Sequence, residues 1–204
     1  MGNRISVLLT FISLVLLVSA CKSKSFDSKE ALLIYLKDVE NGYHFQKSIN
    51  GIDYALTYRP TDLLVNQSIG EGHQTEEVAK LRKKYADYLY FNLSLSANGQ
   101  ELLNQNLGSR AEFGARVNQF SFGMAEKVSL ITQNRDTVPL LDYAYPRMYG
   151  MGNSTDMLLV YEKRPKTLKQ DYLLFTVKDL GYGTGEVTFK IDTKKINQQP
   201  QLNF

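Results

Sequence analysis

The feature that most constrains this fold is a pair of alternating apolar segments around Asn50-Gly51. The segments cover residues 43–49 and 52–58. An Asn-Gly pair favours a two-residue type I′ turn, because both residues tolerate positive φ. The resulting register predicts three apolar pairs: Ile49 with Ile52, Phe45 with Leu56, and Tyr43 with Tyr58. A slip of one residue would move these side chains to the polar face, so the sequence predicts an antiparallel hairpin with one buried side.

Further strand-like segments recur along the rest of the chain, and the first and last of them alternate strictly. They cover residues 88–95, 117–122, 127–132, 156–162, 172–178 and 186–191. Many short strands separated by turn residues are typical of sandwiches. The sequence therefore predicts a β-rich fold, all-β or α+β, built as an antiparallel β-sandwich with two helices. The last two strands, joined by a glycine-rich turn, loosely resemble the closing hairpin of immunoglobulin-like sandwiches in secreted bacterial proteins.

Two segments have helical spacing instead. In the first, residues 28–40, Asp27 is placed to cap the helix, and four apolar residues share one face: Leu32, Leu33, Leu36 and Val39. The second begins at Thr75, and its apolar face holds Val78, Leu81 and Tyr85. We expect both helices to pack on the core. Residues 61–74 are expected to hold one short strand and a loop, and residues 101–115 match no element.

The first twenty residues have a separate character. An uncharged apolar stretch covers residues 5–20 and follows Arg4, the one charged side chain in that region. A membrane-spanning helix needs roughly 20 apolar residues, so this shorter stretch has the layout of a secretory signal peptide. Its end, Val18-Ser19-Ala20-Cys21, resembles the lipobox of bacterial lipoproteins. The resemblance divides the chain into a signal peptide (1–20), a tether (21–26) and a single β-rich domain (27–204).

The lipobox resemblance implies both a modification and a compartment. In lipoproteins this cysteine, here Cys21, becomes the mature N-terminus and its sulfur carries diacylglycerol, so the membrane is a partner through the lipid. Lys22, the next residue, implies sorting to the outer membrane and leaves open which face is occupied. Cys21 is the one cysteine of the chain. The mature domain then has no thiol for catalysis, disulfides or metal binding.

Composition and motifs indicate neither catalysis nor nucleic-acid binding. The formal net charge of +3 is too small to indicate a nucleic-acid partner. The two histidines, His44 and His73, fall on the polar face of the predicted hairpin and in a loop, which favours surface roles over a catalytic base. With so few ligand side chains the sequence predicts no metal and no cofactor. The glycine-rich stretch 181–185 joins two strands, so it predicts a hairpin turn and not a phosphate loop.

One segment has the composition of a binding surface. Residues 142–153 carry Tyr143, Tyr145, Arg147 and Tyr149 among glycine, proline and methionine. Tyr, Arg and Met are enriched in interfaces because they combine a large contact area with a polar or adaptable tip. The alternative is that alternate tyrosines pack inside a strand whose edge is marked by a proline.

A separate pattern concerns modification of the domain. Asp136-Thr137-Val138 resembles the site used for O-glycosylation of exported proteins in some bacterial phyla. The resemblance implies that Thr137 carries a glycan. It covers three residues and has no bearing on the fold.

Together these features predict a lipid-anchored protein of the outer membrane with a non-catalytic task. We expect it to bind a protein, a glycan or another envelope component, with anchoring raising its effective concentration at the membrane. The alternative is an envelope hydrolase that cleaves glycan or peptide through two carboxylates brought together in a cleft. A third interpretation is a structural subunit of an envelope assembly.

Overall fold

The computed structural model of this chain describes residues 23–70, 74–105, 108–148 and 150–204. Its strands are β1 (Ser25–Phe26), β2 (His44–Ile49), β3 (Ile52–Arg59), β4 (Tyr88–Ala97), β5 (Gln100–Glu101), β6 (Val128–Thr132), β7 (Thr137–Val138), β8 (Leu140–Ala144), β9 (Thr155–Glu162), β10 (Tyr172–Val177), β11 (Val187–Asp192) and β12 (Gln201–Leu202). Its α-helices are α1 (Lys29–Lys37), α2 (Thr61–Ser68), α3 (Thr75–Tyr85), α4 (Arg110–Asn118) and α5 (Thr193–Asn197). A π-helical segment, Gln119–Gly123, continues α4, and short 3-10 turns lie at Val39–Asn41, Leu102–Asn104, Met124–Glu126 and Thr167–Lys169.

Two antiparallel sheets form the body of the domain. The larger has the strand order β2-β3-β4-β9-β8, with β5 paired to the end of β4, and the smaller has the order β11-β10-β6-β7. Aromatic rings from the two sheets meet between them: the centroid of the Phe175 ring lies 6.0 Å from that of Phe91 and 6.2 Å from that of Tyr161. The sheets therefore pack as a sandwich around an apolar core, as the sequence predicts.

The chain crosses from one sheet to the other at Pro139. Val138, in β7, pairs with Leu130 of the smaller sheet, and Leu140, in β8, pairs with Tyr161 of the larger one. Proline lacks the N–H that a continuous ladder needs, so it suits the point at which one pairing ends and another begins.

The Asn50-Gly51 hairpin is confirmed in the predicted register. Ile49 pairs with Ile52 and Phe45 with Leu56, and both turn residues have positive φ. The later strands are confirmed in the same way, with one exception, because their alternate apolar residues are buried; in β11 these are Val187, Phe189 and Ile191. The β-rich class and the sandwich architecture are thus confirmed, and the likeness to immunoglobulin-like sandwiches stays a prediction.

Helices are more numerous than the two that the sequence predicts, since the described residues contain five α-helices. The segment 117–122, predicted as a strand, ends α4 and enters the π-helical segment. Its apolar side chains follow helical spacing, because Phe120 and Met124 are fully buried and Val117 packs against the same core. Residues 61–68 form α2 in place of a strand, and they begin directly after Pro60. Proline favours such a start because its φ is already helical.

The first helix differs in two details from its prediction. The hydroxyl of Ser28, and not Asp27, caps α1 by accepting a hydrogen bond of 3.1 Å from the N–H of Ala31. Leu32 and Leu36 are buried as expected, whereas Val39 lies in the 3-10 turn after the helix and is exposed. The second predicted helix is confirmed as α3, with Val78 buried.

The sandwich has two distinct ends, which we call the N-terminal end and the distal end. At the N-terminal end, where β3 finishes at Arg59, the short strands β1 and β12 pair in parallel. This pairing brings the first and last described residues together and places residues 25 and 26, expected in the tether, inside the fold. At the distal end, where β3 begins, the Asn50-Gly51 turn meets the glycine-rich turn: Asn50 donates a hydrogen bond to the carbonyl of Gly183.

An ion pair between a buried aspartate and a partly exposed arginine holds the N-terminal end together. Asp62, which is 3% exposed, accepts two hydrogen bonds from the Arg82 guanidinium, at 2.6 and 2.8 Å. The same carboxylate accepts one from the N–H of Leu202 at 2.8 Å, and Arg82 donates to the Leu202 carbonyl at 2.9 Å. The pair thus joins α2, α3 and the C-terminal strand.

Candidate binding surfaces

The two predicted surface tyrosines that the structure describes lie against the core. Tyr143, in β8, accepts a hydrogen bond of 3.4 Å from the N–H of Met124. The Tyr145 ring lies 5.7 Å from that of Phe120, which is fully buried. Burial raises the pKa of Tyr145, and the charge of Glu101 raises it further. Both rings therefore have a packing role, which is the alternative that the sequence left open.

The next residues of the same segment face solvent. Arg147 is exposed and donates a hydrogen bond of 3.2 Å to the hydroxyl of Ser121. Met148 is exposed, and Met151 is 79% exposed. Tyr149 lies outside the described residues, so its place in this surface stays a prediction.

The Ser121–Arg147 contact brings a further aromatic residue to this surface. Phe122 follows Ser121 in the π-helical segment and is 77% exposed, whereas Phe120, two positions earlier, is buried. Residues two apart on a helix point in different directions, which explains why neighbouring phenylalanines have opposite environments. We call Phe122, Arg147, Met148 and Met151 the distal patch. The sequence missed Phe122 because a strand was predicted there; π-helical segments are frequent at functional sites.

A buried carboxylate fixes the loop that carries the two methionines. Glu101, itself buried, accepts a hydrogen bond of 2.8 Å from the N–H of Gly152. A Cβ at Gly152 would lie 2.9 Å from the accepting oxygen, which is closer than real contacts allow. Met151 in turn donates from its N–H to the Met148 carbonyl at 3.0 Å. The distal patch is therefore presented by a held turn, and glycine is needed at position 152.

A polar groove of about 440 Å³ lies on the outer face of the larger sheet. Small polar side chains line it: Gln46, Ser48, Asp53, Ser94 and Ser96. Ser94 donates to one oxygen of Asp156 on the neighbouring strand, and Ser154 donates to the other at 2.8 Å. The groove offers hydroxyl, amide and carboxylate groups to a polar ligand, but Ser94 has a carboxylate partner in place of a histidine base.

The one described histidine, His44, and the carboxylate of Glu162 each have a neighbouring side chain as partner. His44 Nδ1 lies 2.7 Å from the hydroxyl of Thr57, and burial lowers the pKa of His44, as does the charge of Lys37. A hydrogen bond from Arg164 lowers the pKa of the exposed Glu162. A general acid needs a raised carboxyl pKa, which is the opposite direction. His73 lies outside the described residues, which contain no cluster of three or more metal-ligating side chains.

The carboxylate of Asp179 occupies the backbone N–H donors of the glycine-rich turn. Burial raises the pKa of Asp179, but backbone N–H groups of the turn outweigh it and lower the pKa overall. Two of these donors are the N–H groups of Gly181 and Tyr182, each 2.9 Å from the same carboxylate oxygen. The turn joins β10 to β11, which confirms the hairpin prediction. Its anion-binding donors are occupied by Asp179, so a phosphate would have to displace a side chain.

The predicted glycosylation site lies on a short strand of the smaller sheet. Thr137 is exposed in the short strand β7, while the neighbouring Val138 is buried; glycosylation of Thr137 stays a prediction.

Within the described parts of the chain, no helix combines the length and apolar character needed to cross a membrane. Comparison with protein-family models, with curated proteins and with solved structures found no match to this chain.

Proposed function

We propose that this chain is a lipid-anchored protein of the bacterial outer membrane and that its domain is a non-catalytic binding module. The lipobox-like Val18-Ser19-Ala20-Cys21 supports acylation of Cys21, and Lys22 supports the outer-membrane address. An acylated cysteine would explain why the chain has a single cysteine at that position. The anchor contributes about 0.8 kcal/mol per buried methylene, so two or three acyl chains hold the protein stably.

The observation that carries the binding role is the exposed distal patch. Phe122 and Met151 are more than three-quarters exposed, and Arg147 and Met148 extend the same surface. Burying one such apolar side chain in a partner contributes roughly 1.5–3 kcal/mol, while leaving it in water contributes nothing. Exposed Phe, Met and Arg side chains in one place are typical of protein interfaces. The patch also lies at the end opposite the N-terminus, where a partner would meet no obstruction from the anchor.

The test is co-purification with matched variants of the full chain. The native chain and the double variant Phe122→Ser/Met151→Ser are each solubilised from the membrane in detergent. Each is then captured separately, and the proteins that it retains are compared. Leu141→Ser is the control, because Leu141 is also a half-exposed apolar residue but lies in β8, outside the patch. We expect an envelope component to be retained by the native chain and by the control and lost from the double variant. Equal retention by all three would contradict a role for the patch.

Acylation is tested separately in the same strains. Cells are grown with a labelled fatty acid, and incorporation into the native chain is compared with that into Cys21→Ser. We expect label in the native protein and none in the variant. Label in neither protein would overturn the anchored part of the proposal without affecting the binding part.

A further inference from the structure

The chain enters the fold at Lys24, only three residues after the proposed acylation site. The carbonyl of Lys24 accepts a hydrogen bond of 2.9 Å from the N–H of Gln201. Its ammonium nitrogen lies 4.1 Å from the centroid of the Tyr35 ring, on α1. Backbone and side chain of Lys24 are thus both held by the domain, so the fold begins at this residue.

The distance from the anchor to the fold is short compared with the domain. Three peptide units connect Cys21 to Lys24, and a fully extended chain of that length spans at most about 11 Å. A compact domain of this size has a diameter of roughly 40 Å. Given the proposed acylation of Cys21, on which this step rests, the N-terminal end must lie near the headgroups, and the distal end reaches them only if the domain tips onto its side.

Two apolar side chains, one on α1 and one in the turn after it, are exposed at this end. Ile34, beside Tyr35, is 73% exposed, and Val39, in the following 3-10 turn, is 51% exposed. The opposite side of the helix is the one that packs on the core, through Leu32 and Leu36. An isoleucine so exposed to water gains nothing from folding, whereas at a bilayer interface its burial contributes roughly 1.5–3 kcal/mol. We call Ile34 and Val39 the α1 patch.

The charges near the α1 patch favour an apolar contact over an electrostatic one. Helix α1 and the turn after it carry Lys29 and Lys37 but also Glu30, Asp38 and Glu40. These charges nearly cancel, so attraction to anionic lipid is small. The long lysine side chains can extend their ammonium groups into the headgroup region while their methylenes lie along the interface.

We propose that the α1 patch rests on the bilayer interface and fixes the orientation of the domain, with the distal patch directed away from the membrane. The short tether brings the α1 face to the lipid, and the apolar side chains hold it there. A partner of the distal patch would then be met about one domain diameter from the membrane, roughly 40 Å.

The lone cysteine makes this orientation measurable. When Cys21 is acylated, a new cysteine is the one free thiol of the chain and takes a fluorophore at a single position. Lys37→Cys labels α1 beside the α1 patch, since residue 37 is exposed one turn after Ile34, and Met151→Cys labels the distal patch; neither change removes Ile34 or Val39 or disturbs the core. The lipidated proteins are placed in vesicles of phosphatidylethanolamine and phosphatidylglycerol that contain a lipid with a nitroxide headgroup.

We expect the nitroxide to quench the label at position 37 at least about threefold more than the label at position 151, since quenching requires contact and the two ends lie about a domain diameter apart. Raising the salt concentration should leave this ratio nearly unchanged. Insertion of sixteen Gly and Ser residues between Ser23 and Lys24 gives a reach of about 20 Å. If the apolar contact holds the domain, the difference between the labels persists in the insertion variant and disappears when Ile34→Asp and Val39→Asp are added to both labelled proteins.

The outcomes separate this inference from the proposed function. Equal quenching at both positions on lipidated, vesicle-bound protein would overturn the orientation and leave the anchor intact. If quenching of the label at position 37 rises with protein density and occurs without the nitroxide lipid, the labels of two copies are in contact. A second copy then covers the α1 patch, which would also overturn the orientation. A chain that takes fluorophore at Cys21 and stays off the vesicles would contradict the anchor itself.

Discussion

The N-terminal and distal ends of the sandwich differ in what their buried polar side chains join. At the N-terminal end, Asp62 pairs with Arg82, and the side-chain oxygen of Gln199 accepts from the Tyr58 hydroxyl at 3.0 Å and from the N–H of Thr61 at 2.9 Å. Arg59 Nε and the Tyr161 hydroxyl are the exceptions there, since both are buried without a partner among the described residues. At the distal end the buried hydroxyl of Tyr145 likewise lacks one, and large apolar side chains face solvent.

This difference indicates that the two ends have different tasks. A buried polar group with its partners present specifies one arrangement, because each unpaired alternative costs about 1–3 kcal/mol. The N-terminal end therefore stabilises the fold around the point where the chain begins. The distal end presents Phe122 and Met151 to solvent, and this apolar surface stabilises nothing in the isolated domain.

The largest expected effect comes from removing the carboxylate of the N-terminal end. Asp62→Ala leaves the Arg82 guanidinium and the Leu202 N–H without their acceptor, so we expect the free energy of unfolding to fall by about 3 kcal/mol. Asp62→Asn keeps an acceptor oxygen and should lose about half as much. Urea unfolding followed by circular dichroism measures both. A loss below about 0.5 kcal/mol for Asp62→Ala would show that the N-terminal end does not stabilise the fold.

A glycine at each end gives a second comparison. Gly42, next to α5, and Gly51, in the distal hairpin turn, have φ of +76° and +73°. Alanine at either position carries a backbone strain of roughly 1–2 kcal/mol. A Cβ at Gly51 meets nothing within 4 Å, whereas at Gly42 it lies 3.3 Å from Cε of Lys195. We therefore expect Gly42→Ala to destabilise the domain more than Gly51→Ala in thermal unfolding, and the reverse order would contradict the tighter packing of the N-terminal end.

Two tyrosines test the hydrogen-bond contrast with the same chemical change. Tyr58→Phe removes a hydroxyl that donates to Gln199, and it should lower the free energy of unfolding by about 1 kcal/mol. Tyr145→Phe removes a buried hydroxyl without a partner among the described residues, so stability should be unchanged or rise by up to about 1 kcal/mol. The denaturant midpoints of the two variants, compared with that of the native chain, measure both changes in stability. A similar loss in both would mean that the Tyr145 hydroxyl is bonded in solution.

The smallest expected effect is a pH dependence at His44. Burial, with a further contribution from Lys37, places the pKa of His44 in the folded state below its ordinary value of 6.5. Below pH 6.5 the unfolded chain therefore binds a proton that the folded chain does not, and stability declines as the pH falls toward the folded pKa. Above pH 6.5 both states are neutral at this site and the dependence ends. His44→Gln should flatten this part of the stability profile, and an NMR titration of the native ring should give a pKa under 6.5.

Local patterns in the sequence predicted the strands well because the features that decide them are local. The Asn50-Gly51 turn and the alternation on either side of it fix the hairpin register without help from the rest of the chain. Segment 117–122 shows where the same approach fails. Its Val and two Phe residues favour a short strand, and only the packing shows that Val117, Phe120 and Met124 form one helical face.

The candidate surfaces could be predicted only in part, for a related reason. The composition of residues 142–153 indicated Arg147 and the methionines that follow it, but it could not separate them from Tyr143 and Tyr145, which pack inward. Phe122 joins the distal patch through the Ser121–Arg147 hydrogen bond, which spans 26 positions of the chain. The Asp62–Arg82 pair was missed in the same way, because a contact between two helices leaves no spacing signal in the sequence.

The account depends most on the state of Cys21, and an intact mass of the protein purified from its native membrane tests it directly. We predict a chain that begins at Cys21, with a mass increased by a thioether-linked diacylglyceryl group and, where the amine is also acylated, by one further fatty acid. Digestion should yield an N-terminal lipopeptide that contains Lys22. A chain that still begins at Met1, or a Cys21 thiol that reacts with iodoacetamide, would contradict the anchor and the orientation that follows from it.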